Sequence, residues 1–189
     1  MKSMLLFFLV VTCFEINAEG QLPLVNSKTR IYLVRHAEKA TVPANDPVLT
    51  ELGNKRAGDL MRRLQSKNIN RVYVTEFKRT QMTADSMRIQ SGIDSVHYMA
   101  DETGVSILQK IQANHDEKKR ILIIGHSNTI PVYIRMLGVT NFILPEIPSC
   151  EFDNLYYIRF KKRFLQNGYK AILKHTLYGR LCERPCPVH

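Results

Sequence analysis

The stretch that decides the fold is Ile31-Tyr32-Leu33-Val34-Arg35-His36-Ala37-Glu38-Lys39. Four apolar residues end abruptly on charged and polar ones, the pattern of a short strand buried on both faces. Two later stretches repeat it: Val72 to Val74 runs into Thr75-Glu76-Phe77-Lys78-Arg79, and Ile121 to Ile124 into Gly125-His126-Ser127-Asn128. We read all three as parallel strands, because helical patterns separate them. Thr50 to Lys67 places Leu52, Ala57, Leu60, Met61 and Leu64 on one face, with Thr50 as the N-cap. Further helices are expected over Lys78 to Gln90, Val105 to Asn114 and Thr129 to Leu137, the last with Pro131 in its first turn.

The alternation implies an α/β protein: a three-layer α/β/α sandwich with a mostly parallel central sheet. Leu155 to Phe160 and Tyr169 to Leu173 read as a closing pair of strands. At 189 residues, with 44% hydrophobic and 23% charged side chains, the composition excludes a disordered, collagen-like or multi-span membrane chain. One core is the expectation, over residues 29 to 176.

Lys2, the apolar run Met4 to Thr12 and the small Ala18 read as a signal peptide over residues 1 to 18. Residues 19 to 28 would then be a leader, and the protein periplasmic or secreted. Lipidation at Cys13 is the rival, against which Val11-Thr12 is a poor lipobox. The net charge of +10 is unchanged by removing that segment, which holds one Lys and one Glu. From Arg159 onward eight Lys and Arg residues face one acid, Glu183, so residues 177 to 189 are read as part of a basic, Cys-containing tail. Anionic partners are favoured. No groove-reading motif or aromatic-interleaved basic stripe points to nucleic acid, so a solvated face is the plainer reading. An oxidising compartment would allow a disulfide between Cys182 and Cys186, or between Cys150 and either. A zinc site from these three lacks a second close-spaced ligand pair.

In such a sheet ligands bind beyond the carboxyl ends of the strands. Arg35, His36, Arg79 and His126 are thereby delivered to one rim. Arginine forks suit phosphate oxygens, Arg79 falls in the first turn of a helix, and a neutral imidazole held through one nitrogen leaves the other as a nucleophile toward phosphorus. Gly125 allows close backbone approach at His126. His97, His115, His175 and His189 are left as ordinary surface histidines. Arg56, Arg62, Arg63, Arg71 and Arg88 are expected to be solvated or salt-bridged.

Leu33-Val34-Arg35-His36-Ala37-Glu38 resembles the Arg-His-Gly signature of the histidine phosphatase superfamily, the phosphoglycerate-mutase-like fold. Thr75 to Ala84 looks like its Ser-Pro-Leu-x-Arg-Ala-x-x-Thr-Ala segment, and Gly125-His126-Ser127 like its Gly-His-[Gly/Ser] element. The resemblance covers roughly residues 29 to 160, and the ordered trio is specific even where each piece is modest. It implies a compact, branch-one, metal-independent phosphatase that uses no cofactor. His36 would become a phosphohistidine, while Arg35, Arg79 and His126 bind the phosphate. Ala37 replaces the signature's Gly, and Thr75-Glu76 its Ser-Pro. The leaving-group acid is the open position. Asp101 or Glu102 best matches it, with Glu38 next.

The substrate would be a small or envelope phosphate ester, or a phosphoprotein. A phosphoglycerate-mutase-type phosphotransferase is disfavoured by the short chain, and the acid-phosphatase branch by Ser127 after His126. Two other classes compete: a phosphate-recognising module without turnover, and a metal-binding protein using His36, Glu38 and His126. Neighbouring arginines argue against the metal.

Overall fold

The computed structural model describes residues 26–164 and 168–186. The expected signal peptide, Cys13, most of the leader and the last tail residues lie outside them. The elements run β1 (Arg30–Arg35), α1 (Glu51–Leu64), β2 (Arg71–Thr75), α2 (Lys78–Ser91), β3 (Ser95–Tyr98), α3 (Val105–Ala113), β4 (Arg120–Gly125), α4 (Thr129–Met136), β5 (Asn154–Lys162) and β6 (Tyr169–Leu177). One sheet takes them in the order β3-β2-β4-β1-β5-β6. The pairs among the first four are parallel; β5 and β6 are antiparallel additions. This is the mostly parallel α/β architecture that the sequence implies.

Alternation along each strand divides the core. Ile31, Leu33, Tyr73, Ile121 and Ile123 pack with residues of α3 and α4. Tyr32, Val34, Val72, Val74, Leu122 and Ile124 pack with α1 and α2. Both faces of the inner strands are therefore dry, which is why they read as unbroken apolar runs.

Thr50 caps α1, its Oγ1 accepting from the Gly53 N–H at 3.0 Å. Leu52 falls off the expected stripe and is 36% exposed, whereas Arg56 takes a buried place at 2%. Arg56 Nε and Nη2 grip the Glu38 carboxylate at 2.7–2.9 Å. Its Nη1 donates to the carbonyls of Tyr178 (3.3 Å) and Arg180 (2.9 Å). A buried guanidinium is tolerable only when its donors are satisfied in this way.

β6 continues to Leu177, four residues past the expected Leu173, with Asn154 to Lys162 as its ladder partners. Lys174 and His175 hid this extension, since an edge strand needs no apolar outer face. The tail packs back on the domain: Tyr178 is buried, Arg184 pairs with Asp153 and Glu151, and Cys150 is bonded to Cys186. Cys182 stays a free thiol. Of the pairings the sequence left open, Cys182–Cys186 is thus replaced by one that joins the tail to the loop before β5. No helix among the described residues is long and apolar enough to cross a membrane.

Gly53 lets α1 touch the chain after β1. A Cβ there would lie 2.2 Å from the Glu38 carbonyl oxygen. Alanine normally gains about 1 kcal/mol over glycine inside a helix. Here backbone must move, so Gly53→Ala should lower stability by about 1–3 kcal/mol, as overpacking does. A urea midpoint at or above that of the parent would show that the contact yields freely.

Candidate active site

β1 and β4 are neighbours in register, with Arg35 opposite Gly125. The next residue of each strand is a histidine, and the His36 N–H donates to the Gly125 carbonyl at 2.9 Å. The two imidazoles consequently stand edge to face, ring centroids 5.4 Å apart. A Cβ on Gly125 would press on Thr129 Oγ1 and Ile130 at 3.0 Å, so glycine is what allows α4 to start this close. Arg79, in the first turn of α2, completes the group.

These four side chains line one pocket of about 330 Å3, with Lys39, Phe77, Ala100, Glu102 and Asn128 on its walls. His36 Nδ1 lies 2.8 Å from the Ala37 carbonyl oxygen. A carbonyl only accepts, so Nδ1 carries the proton and Nε2 keeps its lone pair. Arg35 is held by its Nη1, which donates to the carbonyls of Pro148, Ser149 and Glu151 at 2.9–3.2 Å. It stacks on Phe152 at 4.2 Å, as Arg79 does on Phe77 at 4.1 Å. The Nε atoms of both arginines are buried without a hydrogen-bond partner. Unpaired buried donors of this kind are rare in folded proteins and fit a site built for an oxyanion.

The family model of the histidine phosphatase superfamily (branch 1) matches residues 31–103. That stretch, which carries Arg35, His36 and Arg79, is similar to that superfamily. Among solved structures, the protein histidine phosphatase SixA complexed with tungstate is 19% identical, with TM-score 0.58 over 78% of this chain and 96% of that one. Phosphoserine phosphatase of Entamoeba histolytica, in complex with 3-phosphoglyceric acid, is 15% identical, with TM-score 0.52 over 80% and 98%. Mycobacterial glucosyl-3-phosphoglycerate phosphatase with VO3 is 13% identical, with TM-score 0.54 over 76% and 96%. At these identities the likeness is one of fold. No curated protein matches the chain by sequence.

Within this fold the two carboxylates proposed from sequence part company. Asp101 caps α3: Oδ1 accepts from the Thr103 and Val105 N–H groups and the Thr103 hydroxyl, and Oδ2 from the Ser106 N–H. Burial works to raise its pKa, but these hydrogen bonds win and hold it below the ordinary carboxylate value. A carboxylate so held is a helix cap. Glu102 instead lines the pocket, where its Oε1 accepts from Asn128 Nδ2 at 3.1 Å. Glu38, the third choice, is bound to Arg56, which also removes it from the ligand set of the metal-binding alternative.

The sequence reading missed a chain of threonines. Thr80 Oγ1 donates to the Phe77 carbonyl (2.8 Å), so the Thr75 hydroxyl donates to Thr80 Oγ1 (2.9 Å) and accepts from His126 Nε2–H at 3.1 Å. That order fixes the His126 tautomer. Thr83 accepts from the Ala37 N–H at 2.9 Å and donates to the Arg79 carbonyl at 2.7 Å, tying the residue after His36 to the turn that bears Arg79. Thr75 and Thr83 occupy motif positions, the one signal that could have singled them out.

Burial lowers the His36 pKa to about 3, opposed by the Ala37 hydrogen bond and reinforced by Arg35, His126 and Arg79. Burial, Arg79 and Arg35 lower that of His126 to about 4. Arg35 is brought down to about 10, chiefly by burial, and remains a cation at neutral pH. Both imidazoles are therefore neutral in the folded protein where those of the unfolded chain, near 6.5, already take up protons. Their contribution to stability is complete above 6.5 and is lost as pH falls from 6.5 toward these values. Imidazole NMR shifts of His36 and His126 should stay flat from about pH 8 to about pH 5; a midpoint near 6.5 in either would contradict the buried, cation-flanked geometry.

Proposed function

We propose that the protein is a metal-independent phosphatase that hydrolyses a phosphomonoester through a phosphohistidine at His36. The observation that carries this reading is the His36 Nδ1–H held on the Ala37 carbonyl, beside two arginines whose buried Nε donors are unpartnered. Nε2 attacks phosphorus, and the phosphorus–oxygen bond to the leaving group breaks as the phosphorus–nitrogen bond forms. Arg35 and Arg79 stabilise the equatorial oxygens, whose charge grows on the way to the transition state. Water then attacks phosphorus, the phosphorus–nitrogen bond breaks, and inorganic phosphate leaves with His36 restored. Because the guanidiniums supply the positive charge, the scheme needs no metal. The tungstate and VO3 complexes of the structural relatives are in keeping with an oxyanion seat of this kind.

Glu102 is the acid of this scheme. An alkoxide must gain a proton as it departs, whereas an activated phenolate leaves unaided. Glu102 would give that proton and then take one from the attacking water. Phosphomonoesters are the substrate class: a small phosphate ester, an envelope ester or a phosphorylated protein.

The reading includes export. Lys2, the apolar Met4 to Thr12 and Ala18 support cleavage near Glu19, and N-terminal sequencing of protein from its native host should find that residue first. Retained Met1 or a lipid on Cys13 would overturn export by simple cleavage.

The catalytic reading is tested with an aryl and an alkyl phosphate in parallel. His36→Ala should abolish hydrolysis of both while leaving the circular dichroism spectrum unchanged, and rapid quenching of the parent enzyme should trap an acid-labile, alkali-stable phosphoryl label on His36. Glu102→Gln should depress alkyl phosphate turnover by about a hundredfold and aryl phosphate turnover far less, the range expected for a general acid. Asp101→Asn should lower stability and spare that ratio. Equal losses on both substrates in Glu102→Gln would move the acid elsewhere.

A further inference from the structure

At the opposite end of the sheet, a recess of about 480 Å3 opens beside the amino ends of β1 and β4. Arg30, Arg63, Lys67, Arg120 and Lys174 stand around it, and no carboxylate lines it. Separate parts of the chain bring these cations together. Arg30 and Arg120 are register partners, the first residues of β1 and β4. Arg63 is in the last turn of α1, Lys67 ends the 3-10 turn that follows, and Lys174 lies on β6 opposite Tyr157. Tyr157 in turn pairs with Tyr32 of β1, their rings tilted at a centroid distance of 4.9 Å, and the two form the aromatic wall.

The charges here are uncompensated, unlike others on the same surface. Lys55, Arg62 and Arg88 each meet a carboxylate of their own helix, and Arg71 meets Asp116. Around the recess, no cation is in an ion pair among the described residues. Arg30 is positioned without being neutralised: its Nη1 donates to the carbonyls of Ser27 (2.6 Å) and Thr29 (2.8 Å). Arg35 in the active site is held on main-chain carbonyls in the same manner. Like charges gathered around a concavity repel one another, and a bound anion relieves that repulsion while the low-dielectric wall strengthens the attraction.

We propose that this recess is a second anion site, taking a compact ligand with at least two phosphoryl groups. Its volume exceeds that of the His36 pocket, and its cations approach from several sides of a concavity, which suits a compact ligand better than a flat bilayer. Tyr32 is only 8% exposed, so within the aromatic wall Tyr157, half-buried, is the one ring with a face for a nucleobase to stack on. β1 separates the recess from His36 by roughly 20 Å, six residues of strand at about 3.3 Å each, so one phosphoryl group cannot occupy both. Soluble inositol phosphates and the headgroup of a phosphoinositide present the same chemistry.

The test uses the full chain carrying His36→Ala, so that no probe is hydrolysed, with the active-site pocket saturated by tungstate. Inositol trisphosphate is titrated by calorimetry, and vesicles of phosphatidylcholine with and without phosphatidylinositol bisphosphate are tested by flotation. Arg63 and Lys174 are exposed and outside the catalytic pocket, so Arg63→Glu with Lys174→Glu should leave the fold and the His36-dependent activity of an otherwise parental chain intact. The proposal expects trisphosphate affinity to fall at least about tenfold in that double variant and with added salt. Flotation with the bisphosphate lipid alone would assign the ligand to a headgroup, and soluble binding without flotation to a free ester. Unchanged affinity in the double variant, no binding of either probe, or tighter binding of a DNA oligonucleotide or of phosphatidylserine vesicles would overturn it.

Discussion

The in-register parallel pairing of β1 with β4 is the constraint on which the site depends. Arg35 opposite Gly125 means that each strand delivers its histidine at the same height, and a slip of one residue would turn one of the two to the other face of the sheet. The register is secured by the residues on both faces, since Ile31, Leu33, Ile121 and Ile123 belong to one cluster and Tyr32, Val34, Leu122 and Ile124 to the other. β2 lies on the far side of β4, which brings Thr75 to His126. The chemistry at the rim is thus a consequence of how the apolar strands stack.

Neutral imidazoles amid guanidiniums form the electrostatic logic of this rim. Burial would penalise any charge there, yet only the arginines retain theirs, because a histidine can shed its proton near neutral pH and an arginine cannot. The result is a fixed positive field with uncharged imidazoles inside it. Each imidazole also has one nitrogen committed, His36 Nδ1 to a carbonyl and His126 Nε2 to a threonine hydroxyl. Orientation and protonation are then set by the same hydrogen bonds, so the rim is preorganised before any ligand arrives.

What could be read from the sequence follows from where the information lies. Strands β1, β2 and β4 and the four helices, together with Arg35, His36, Arg79 and His126, were legible because dry strands are unbroken apolar runs that end where the chemistry begins. The partnership of Glu38 with Arg56 was not, since a buried arginine on α1 looks like any surface cation until the chain of residues 178 to 180 folds over it. Asp101 and Glu102 are adjacent and chemically alike; only the start of α3 separates them, by claiming one as its cap. The threonine chain was overlooked because Thr75, Thr80 and Thr83 act by exchanging hydrogen bonds among themselves and with the backbone, which leaves no charge pattern to read.

Least legible of all was the support of Arg35, for it comes from main-chain carbonyls of residues 148, 149 and 151, which any side chains could accompany. A loop lacking regular structure can hold a guanidinium in place only if the loop itself is held. Cys150 lies within this segment, and its bond to Cys186 closes a span of 36 residues. Such a closure removes about 4 kcal/mol of conformational freedom from the unfolded chain. The Phe152 N–H donates to Cys182 Sγ at 3.2 Å, and Arg184 of the same tail binds Glu151 and Asp153. Burial alone would raise the Asp153 pKa, but Arg184 and the Cys182 N–H bring it down to about 2, so this anchor stays ionised throughout the physiological range. The last described stretch of the chain therefore acts on the rim that bears Arg35 and His36 without touching it, by making a rigid acceptor out of a loop.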